Sequence, residues 1–217
     1  METIELFSAR VCPYAHRSRL ALMEKGLPFE LVEIDLRNKP AWYREINPFE
    51  SVPALRQGSF LLRESLVINE YVEELTPEPP LLPAVPRQRA EARLWISFAD
   101  SRMVPLFYRL LKARGEEEKA TAGRDLLSVL SCLDEELHRR QGGGPYWGGR
   151  SVCLTDLALY PWFERWPVLE HYRGWAIPRD MTALLSWVEA MKGRDAVVRG
   201  GQSAEFYIGE YARYAEG

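Results

Sequence analysis

Thr3-Ile4-Glu5-Leu6-Phe7 leads through Ser8-Ala9-Arg10-Val11 into Cys12-Pro13-Tyr14-Ala15-His16-Arg17, and this passage decides how the chain is read. The first five residues alternate weakly between polar and apolar and read as a strand. Pro13 then suits the first turn of a helix, where its missing N–H costs nothing, and Gly26 stops that helix after about Lys25. Working outward, Phe29-Glu30-Leu31-Val32-Glu33-Ile34 is a second strand, and about Ala41–Ile46 is a short helix. Ala54–Arg56 and Phe60–Leu62 flank Gln57-Gly58-Ser59, a hairpin signal. Glu64–Leu75 is a helix with Leu66, Ile68, Tyr71, Val72 and Leu75 at its apolar positions. The order β-α-β-α-β-β-α is that of an α/β unit.

Beyond it, Thr76-Pro77-Glu78-Pro79-Pro80-Leu81-Leu82-Pro83-Ala84-Val85-Pro86 is too proline-dense to continue a helix and reads as a linker. From Arg87 onward the patterns are helical, over about 87–113, 116–140, 155–166 and 181–192. Leu126, Leu130, Leu133 and Leu137 mark one face of the second of these. Gln141-Gly142-Gly143-Gly144-Pro145 reads as a loop. The expected division is an α/β domain over 1–78, a linker over 79–88 and an all-α domain over 89–217.

With 217 residues, 47% of them hydrophobic and 27% charged, the chain has the make-up of an ordinary globular protein able to bury a real core. A net charge of −3 gives no basic field for nucleic acid or an anionic membrane surface. No apolar run is long enough to span a bilayer. Glu2 and Glu5 near the start are the reverse of a signal peptide's basic opening, so the expected location is the cytoplasm. The three cysteines, Cys12, Cys132 and Cys153, are odd in number and scattered, which points to free thiols.

Cys12 is the candidate reactive group. The first N–H groups of a helix lack internal partners and carry partial positive charge, so a thiol placed there loses its proton more easily. His16 and Arg17 lie one turn further on. Taken alone, a cysteine at this junction reads equally as a helix cap. Position 15 is Ala, which excludes a local Cys-x-x-Cys pair. A single thiolate needs an outside thiol to finish a cycle, and glutathione is the abundant cytosolic one.

Cys12-Pro13-Tyr14-Ala15-His16-Arg17, Leu36-Arg37-Asn38-Lys39-Pro40, Asn47-Pro48, Val52-Pro53, Glu64-Ser65 and Pro161-Trp162-Phe163-Glu164-Arg165 fall in order along the chain. Together they resemble the cytosolic glutathione transferases, most closely the omega class. The resemblance spans essentially the whole chain. It implies a thioredoxin-like N-terminal domain, an α-helical C-terminal domain, a homodimer, and glutathione as co-substrate with no metal. It also implies roles for single residues. Val52-Pro53 resembles a cis-proline turn whose valine backbone pairs with the cysteinyl unit of glutathione. Ser65 would hold the γ-glutamyl carboxylate at a helix start, and Glu64 the ammonium group. Lys39 would approach the glycyl carboxylate, with Leu36 beside it, and Tyr14 would lie beside the thiol. Tyr108, Arg165 and Trp187, among the aromatics Phe107, Trp162 and Phe163, would line the second-substrate cleft, although aromatic stripes on helices are more often core. The second substrate would be a small electrophile or disulfide.

Cys153 stands where the resembled family has Ser or Thr, three residues before Asp156, so Thr155 or Ser151 is expected to take over the capping, or the helix start is weaker. Cys132, on a leucine-rich helix, reads as a small core or boundary residue. The dispersed His16, His138 and His171 form no zinc set, and no phosphate-binding glycine loop or nucleophile elbow is present. The competing reading is a non-catalytic interaction protein resembling stringent starvation protein A, which shares the layout around Glu24-Lys25-Gly26, Val52-Pro53 and Glu64-Ser65 but lacks a working thiol. A reductive lyase or isomerase acting on a ring metabolite is a further reading within the enzyme class.

Overall fold

The computed structural model describes residues 2–140 and 143–216, so Gln141 and Gly142 of the expected loop lie outside the described residues. The chain forms two compact units, Met1–Leu81 with Asp195–Gly200, and Leu82–Arg194 with Gly201–Gly217.

The first unit carries β1 (Ile4–Ser8), α1 (Pro13–Glu24), β2 (Phe29–Glu33), α2 (Tyr43–Ile46), β3 (Ala54–Gln57), β4 (Phe60–Arg63) and α3 (Ser65–Leu75). The sheet runs β2-β1-β3-β4, with β1 parallel to β2 and antiparallel to β3. Leu6 pairs with Leu55 in the middle of the β1–β3 ladder, and both are fully buried. Leu20, Ala21 and Leu22 of α1 and Ile68 and Val72 of α3 are buried with them. This is the thioredoxin-like arrangement that the resemblance implied. The turn between β3 and β4 needs Gly58: its φ is +58°, and an added Cβ would lie 2.4 Å from the Glu2 carboxylate.

Two further features complete this unit. Lys25 has a fully buried side chain, pairs with Glu73, and donates to the carbonyls of Thr76 and Pro79 at 2.5 and 2.7 Å. Glu73 in turn accepts the Leu81 N–H, so the proline-rich segment is fastened to α1 and α3. The segment Asp195–Gly200, from the C-terminal part of the sequence, forms a short helix packed on α1.

The second unit is helical. It contains α4 (Pro86–Phe98), α5 (Val104–Lys112), α6 (Glu116–Arg140), α7 (Leu154–Glu164), α8 (Pro167–Arg173), α9 (Thr182–Lys192) and α11 (Ala204–Ala215), while the Asp195–Gly200 helix of the first unit is α10 in chain order. The expected single helix over 87–113 is interrupted by a π turn at Ala99–Met103. Pro105 explains this: without an N–H it cannot bond one turn back, and the backbone widens to accommodate it. Leu126, Leu130, Leu133 and Leu137 of α6 are all buried as their spacing predicts, each contributing about 1.5–3 kcal/mol. Helices α8, α10 and α11 go beyond the sequence-based expectation.

Candidate active site

The site grows from the β1–α1 junction. Arg19, buried in α1, donates to Ser8 Oγ at 2.7 Å and to the Ala9 carbonyl at 3.1 Å, which fixes the end of the strand. The Cys12 N–H donates to the Ala9 carbonyl at 3.0 Å and closes the turn. Cys12 is the N-cap of α1, with extended backbone, and its Sγ accepts the Ala15 N–H at 3.5 Å. The first turn of α1 contains no acidic side chain. The sulfur is half-buried, and it also donates to the Val52 carbonyl at 3.7 Å.

Opposite Cys12, the Val52–Pro53 peptide is cis, and both residues are buried. Val52 belongs to a cluster with Phe7, Ala9, Ala15, Ile34, Tyr43 and Ala54, against which Cys12 and Leu36 pack. The segment ahead of Val52 is held from two sides. The Tyr43 hydroxyl donates to the Ser51 carbonyl at 2.7 Å, and the Asn47 amide donates to the same carbonyl at 2.8 Å and to Ser51 Oγ at 3.0 Å. Burial pushes the Tyr43 hydroxyl up to about 12, with a smaller push from the neighbouring Cys12 charge, so it stays a donor at neutral pH.

Glu64 and Ser65 open α3. Glu64 occupies the N-cap with φ +69° and makes no side-chain cap bond, while Ser65 is the first helical residue. A non-glycine residue in that backbone region is strained, and such strain recurs where a chain is shaped to hold a ligand. Ser18, in the middle of α1, donates to the Ser65 carbonyl at 3.5 Å, which ties the start of α3 to α1. Lys39 is exposed in the loop after β2. Tyr14 is partly exposed, with the Arg17 guanidinium 5.3 Å above its ring.

The three second-substrate candidates are not clustered with one another. Trp187 is buried and donates to Asp156 at 2.8 Å, with its ring edge-on to Phe163. Arg165 is fully buried, donates to the Pro161 carbonyl at 2.6 Å, and lies 4.2 Å over Tyr207. Those are core positions. Tyr108 is half-buried and belongs to a cluster with Lys112, half-buried Tyr214 and the buried Tyr211.

Two sequence expectations are corrected. Cys132 is exposed, since its place on α6 turns it away from the leucine face. Cys153 itself is the N-cap of α7, with its N–H donating to Asp156 at 2.8 Å. Thr155 does not take over: its hydroxyl donates to the Ala92 carbonyl at 3.2 Å. Tyr43, Asn47 and Arg19 had not been singled out as site residues. Only the Asn47-Pro48 pair carried any signal, because a buried hydroxyl aimed at a backbone carbonyl leaves no pattern in sequence. Among the described residues no group of His, Cys, Asp and Glu is arranged to hold a metal, and no helix is long and apolar enough to cross a membrane.

Comparison with known proteins bears on the fold and the family. Residues 11–75 match the family model of the glutathione S-transferase N-terminal domain. The chain is 35% identical over 212 residues to pyrimidodiazepine synthase of Drosophila melanogaster, covering 93% of this chain and 82% of that protein. The crystal structure of glutathione transferase Omega 3C from Trametes versicolor superposes with a TM-score of 0.89 at 32% identity, covering 99% of this chain and 91% of that one. Dehydroascorbate reductase of Chlamydomonas reinhardtii superposes at 0.82 with 28% identity, covering 98% of both chains. The chain therefore belongs to the glutathione S-transferase family.

Proposed function

We propose that the protein is a glutathione-dependent thiol transferase or reductase with Cys12 as its nucleophile. Its reactions are deglutathionylation, dehydroascorbate reduction or reductive cleavage of glutathione adducts. The observation that carries this reading is the Cys12 sulfur at the open end of α1, taking the Ala15 N–H with no cysteine at position 15. A helix N–H pointed at sulfur favours the thiolate, which is the attacking form.

In the cycle, the Cys12 thiolate attacks the glutathionyl sulfur of a mixed disulfide, the S–S bond breaks, and the substrate leaves as a thiolate. A second glutathione thiolate then attacks Cys12–S–S–glutathione, restoring the Cys12 thiolate and releasing glutathione disulfide. Val52 and Pro53 hold the cysteinyl unit, Glu64 and Ser65 the γ-glutamyl end, and Lys39 the glycyl carboxylate, with Tyr14 and Leu36 flanking. The uncapped start of α3 supports a carboxylate there. The working form is a homodimer, as implied by the resemblance. Tyr108 is the accessible one of the three second-substrate candidates.

Immobilised glutathione should retain the protein, and glutathione should elute it. The Cys12 thiol is expected to titrate below the ~8.5 of a free cysteine, and Cys12→Ala should abolish thiol-transferase turnover. An ordinary thiol titration, or undiminished turnover in the variant, would overturn Cys12 as nucleophile. A chain that neither binds glutathione nor turns over would be an interaction protein.

A further inference from the structure

Cys12 makes two hydrogen bonds that favour opposite protonation states. The Ala15 N–H donates to Sγ at 3.5 Å and favours the thiolate. The Sγ–H donates to the Val52 carbonyl at 3.7 Å, which favours the thiol, because that bond exists only while the proton is present. A bond to the neutral form holds the nucleophile back.

We infer that the Val52 carbonyl is a shared acceptor, taking the Cys12 S–H in the free protein and an amide N–H of the glutathionyl group when substrate docks, so that docking releases the thiol proton. This rests on the reading of Val52 as the glutathione contact. A carbonyl oxygen has two lone pairs and can briefly hold both donors. The amide is the stronger donor, and sharing weakens the S–H bond. The released proton passes to water, since the sulfur is half-exposed. The thiolate thus forms when a disulfide sulfur is brought beside it.

The carbonyl is placed for this by residues that do not touch the sulfur's proton. Tyr43 and Asn47 both donate to the Ser51 carbonyl, one residue before Val52, and hold the segment against Cys12. Val52 itself is buried in the cluster that includes Tyr43 and Ala15. Tyr43 of α2 is held protonated by burial, His16 and Arg17 lie on α1, and Glu33 of β2 accepts the Arg10 N–H on the preceding loop. Exposed Arg10, Asp35, Arg37, Lys39 and Glu64, with half-buried Glu50, are charged groups of the neighbouring loops.

The test uses S-methylglutathione, which keeps the cysteinyl amide but cannot react. Calorimetry in buffers of different ionisation enthalpy counts protons released on binding, and ultraviolet thiolate absorbance follows the Cys12 titration with and without the analogue. Cys12→Ser gives the baseline for both. The expected result is proton release by the native protein and none by Cys12→Ser, with the Cys12 titration moving down by about half a unit, equal to about 0.7 kcal/mol at about 1.36 kcal/mol per unit. That is about a threefold rise in thiolate at pH values below the titration midpoint. Difference infrared spectra of the S–H stretch, native minus Cys12→Ser, should show a hydrogen-bonded band that the analogue removes. Covering the sulfur with ligand opposes this shift, so a bound analogue that leaves the titration unmoved or raises it overturns the inference while the glutathione reading stands. A free S–H band in the unliganded protein also overturns it. Failure of the analogue to bind brings down both.

Discussion

Cys12 and Cys153 hold the same station in two helices, and they are opposite kinds of cysteine. Each is an N-cap with extended backbone, Cys12 ahead of α1 and Cys153 ahead of α7. At α1 the sulfur is half-buried, takes the Ala15 N–H, and has no acidic residue in the turn that follows. At α7 the thiol is buried, and Asp156 sits in the first turn. Burial pushes the Cys153 thiol up, and the Asp156 charge adds to that. A helix start is therefore not enough to activate a thiol. Access to water and the sign of the nearest charge decide whether the partial charge of the helix is spent on the sulfur or on a carboxylate.

The largest test of this contrast is reactivity. In the native protein a thiol reagent should modify Cys12 first, exposed Cys132 at an ordinary rate, and Cys153 only when the helical unit opens. For a domain stability of about 5 kcal/mol or more, opening protects Cys153 by roughly a thousandfold or more. Mass spectrometry of timed alkylation reads all three rates, and comparable labelling of Cys12 and Cys153 breaks the comparison.

The next effect concerns what Asp156 does in place of a thiolate. Its carboxylate accepts the N–H groups of Trp147 at 2.9 Å and Cys153 at 2.8 Å, and the indole of Trp187 at 2.8 Å. Asp156→Ala leaves three buried donors without an acceptor and should destabilise the helical unit by about 3 kcal/mol or more. Urea unfolding checks this. A loss well under 1 kcal/mol would mean that the N-terminus of α7 is held by other contacts.

The same pair gives a pH dependence. Burial, with the Asp156 charge beside it, raises the Cys153 thiol in the folded protein well above the ordinary cysteine range. A raised value contributes stability that is complete below the unfolded pKa and is lost as pH rises above it, because only the unfolded chain then ionises. One pH unit above that point the loss is about 1.4 kcal/mol. Comparing urea midpoints at neutral and alkaline pH, the native protein should lose this much more than Cys153→Ser. Equal slopes would show that Cys153 titrates freely.

The contrast also marks what could be read in advance. Most of the α/β unit was legible, because β1, β2, β3 and β4 each carry local apolar runs and Gly58 marks the hairpin. Helix α6 was legible from its leucine spacing. Helix α10 was not: its six residues pack on α1 of the first unit, to which they belong, and a contact so distant in sequence leaves no period. Cys12 was legible as a candidate because strand, cysteine and proline are adjacent. Its backing was not, since Tyr43 lies 31 positions away and acts through the Ser51 backbone.

That backing yields the smallest predicted effect. Cys153 needs no outside wall, because its partner Asp156 is on its own helix, whereas the Cys12 site depends on Val52 being held from α2. Tyr43→Phe removes one donor to the Ser51 carbonyl and leaves the Asn47 amide in place, so the cost should be about 1 kcal/mol. If that cost falls on the placement of Val52, the KM for glutathione should rise several-fold while kcat with saturating glutathione changes little, as expected when ground-state and transition-state binding are weakened alike. Asn47→Ala should do more, since Asn47 also bonds Ser51 Oγ and accepts the Phe49 N–H at 3.1 Å. A Tyr43→Phe protein with lowered stability and an unchanged KM would make Tyr43 a core residue only, and the wall opposite Cys12 would then be set by Asn47 and the packing of Val52.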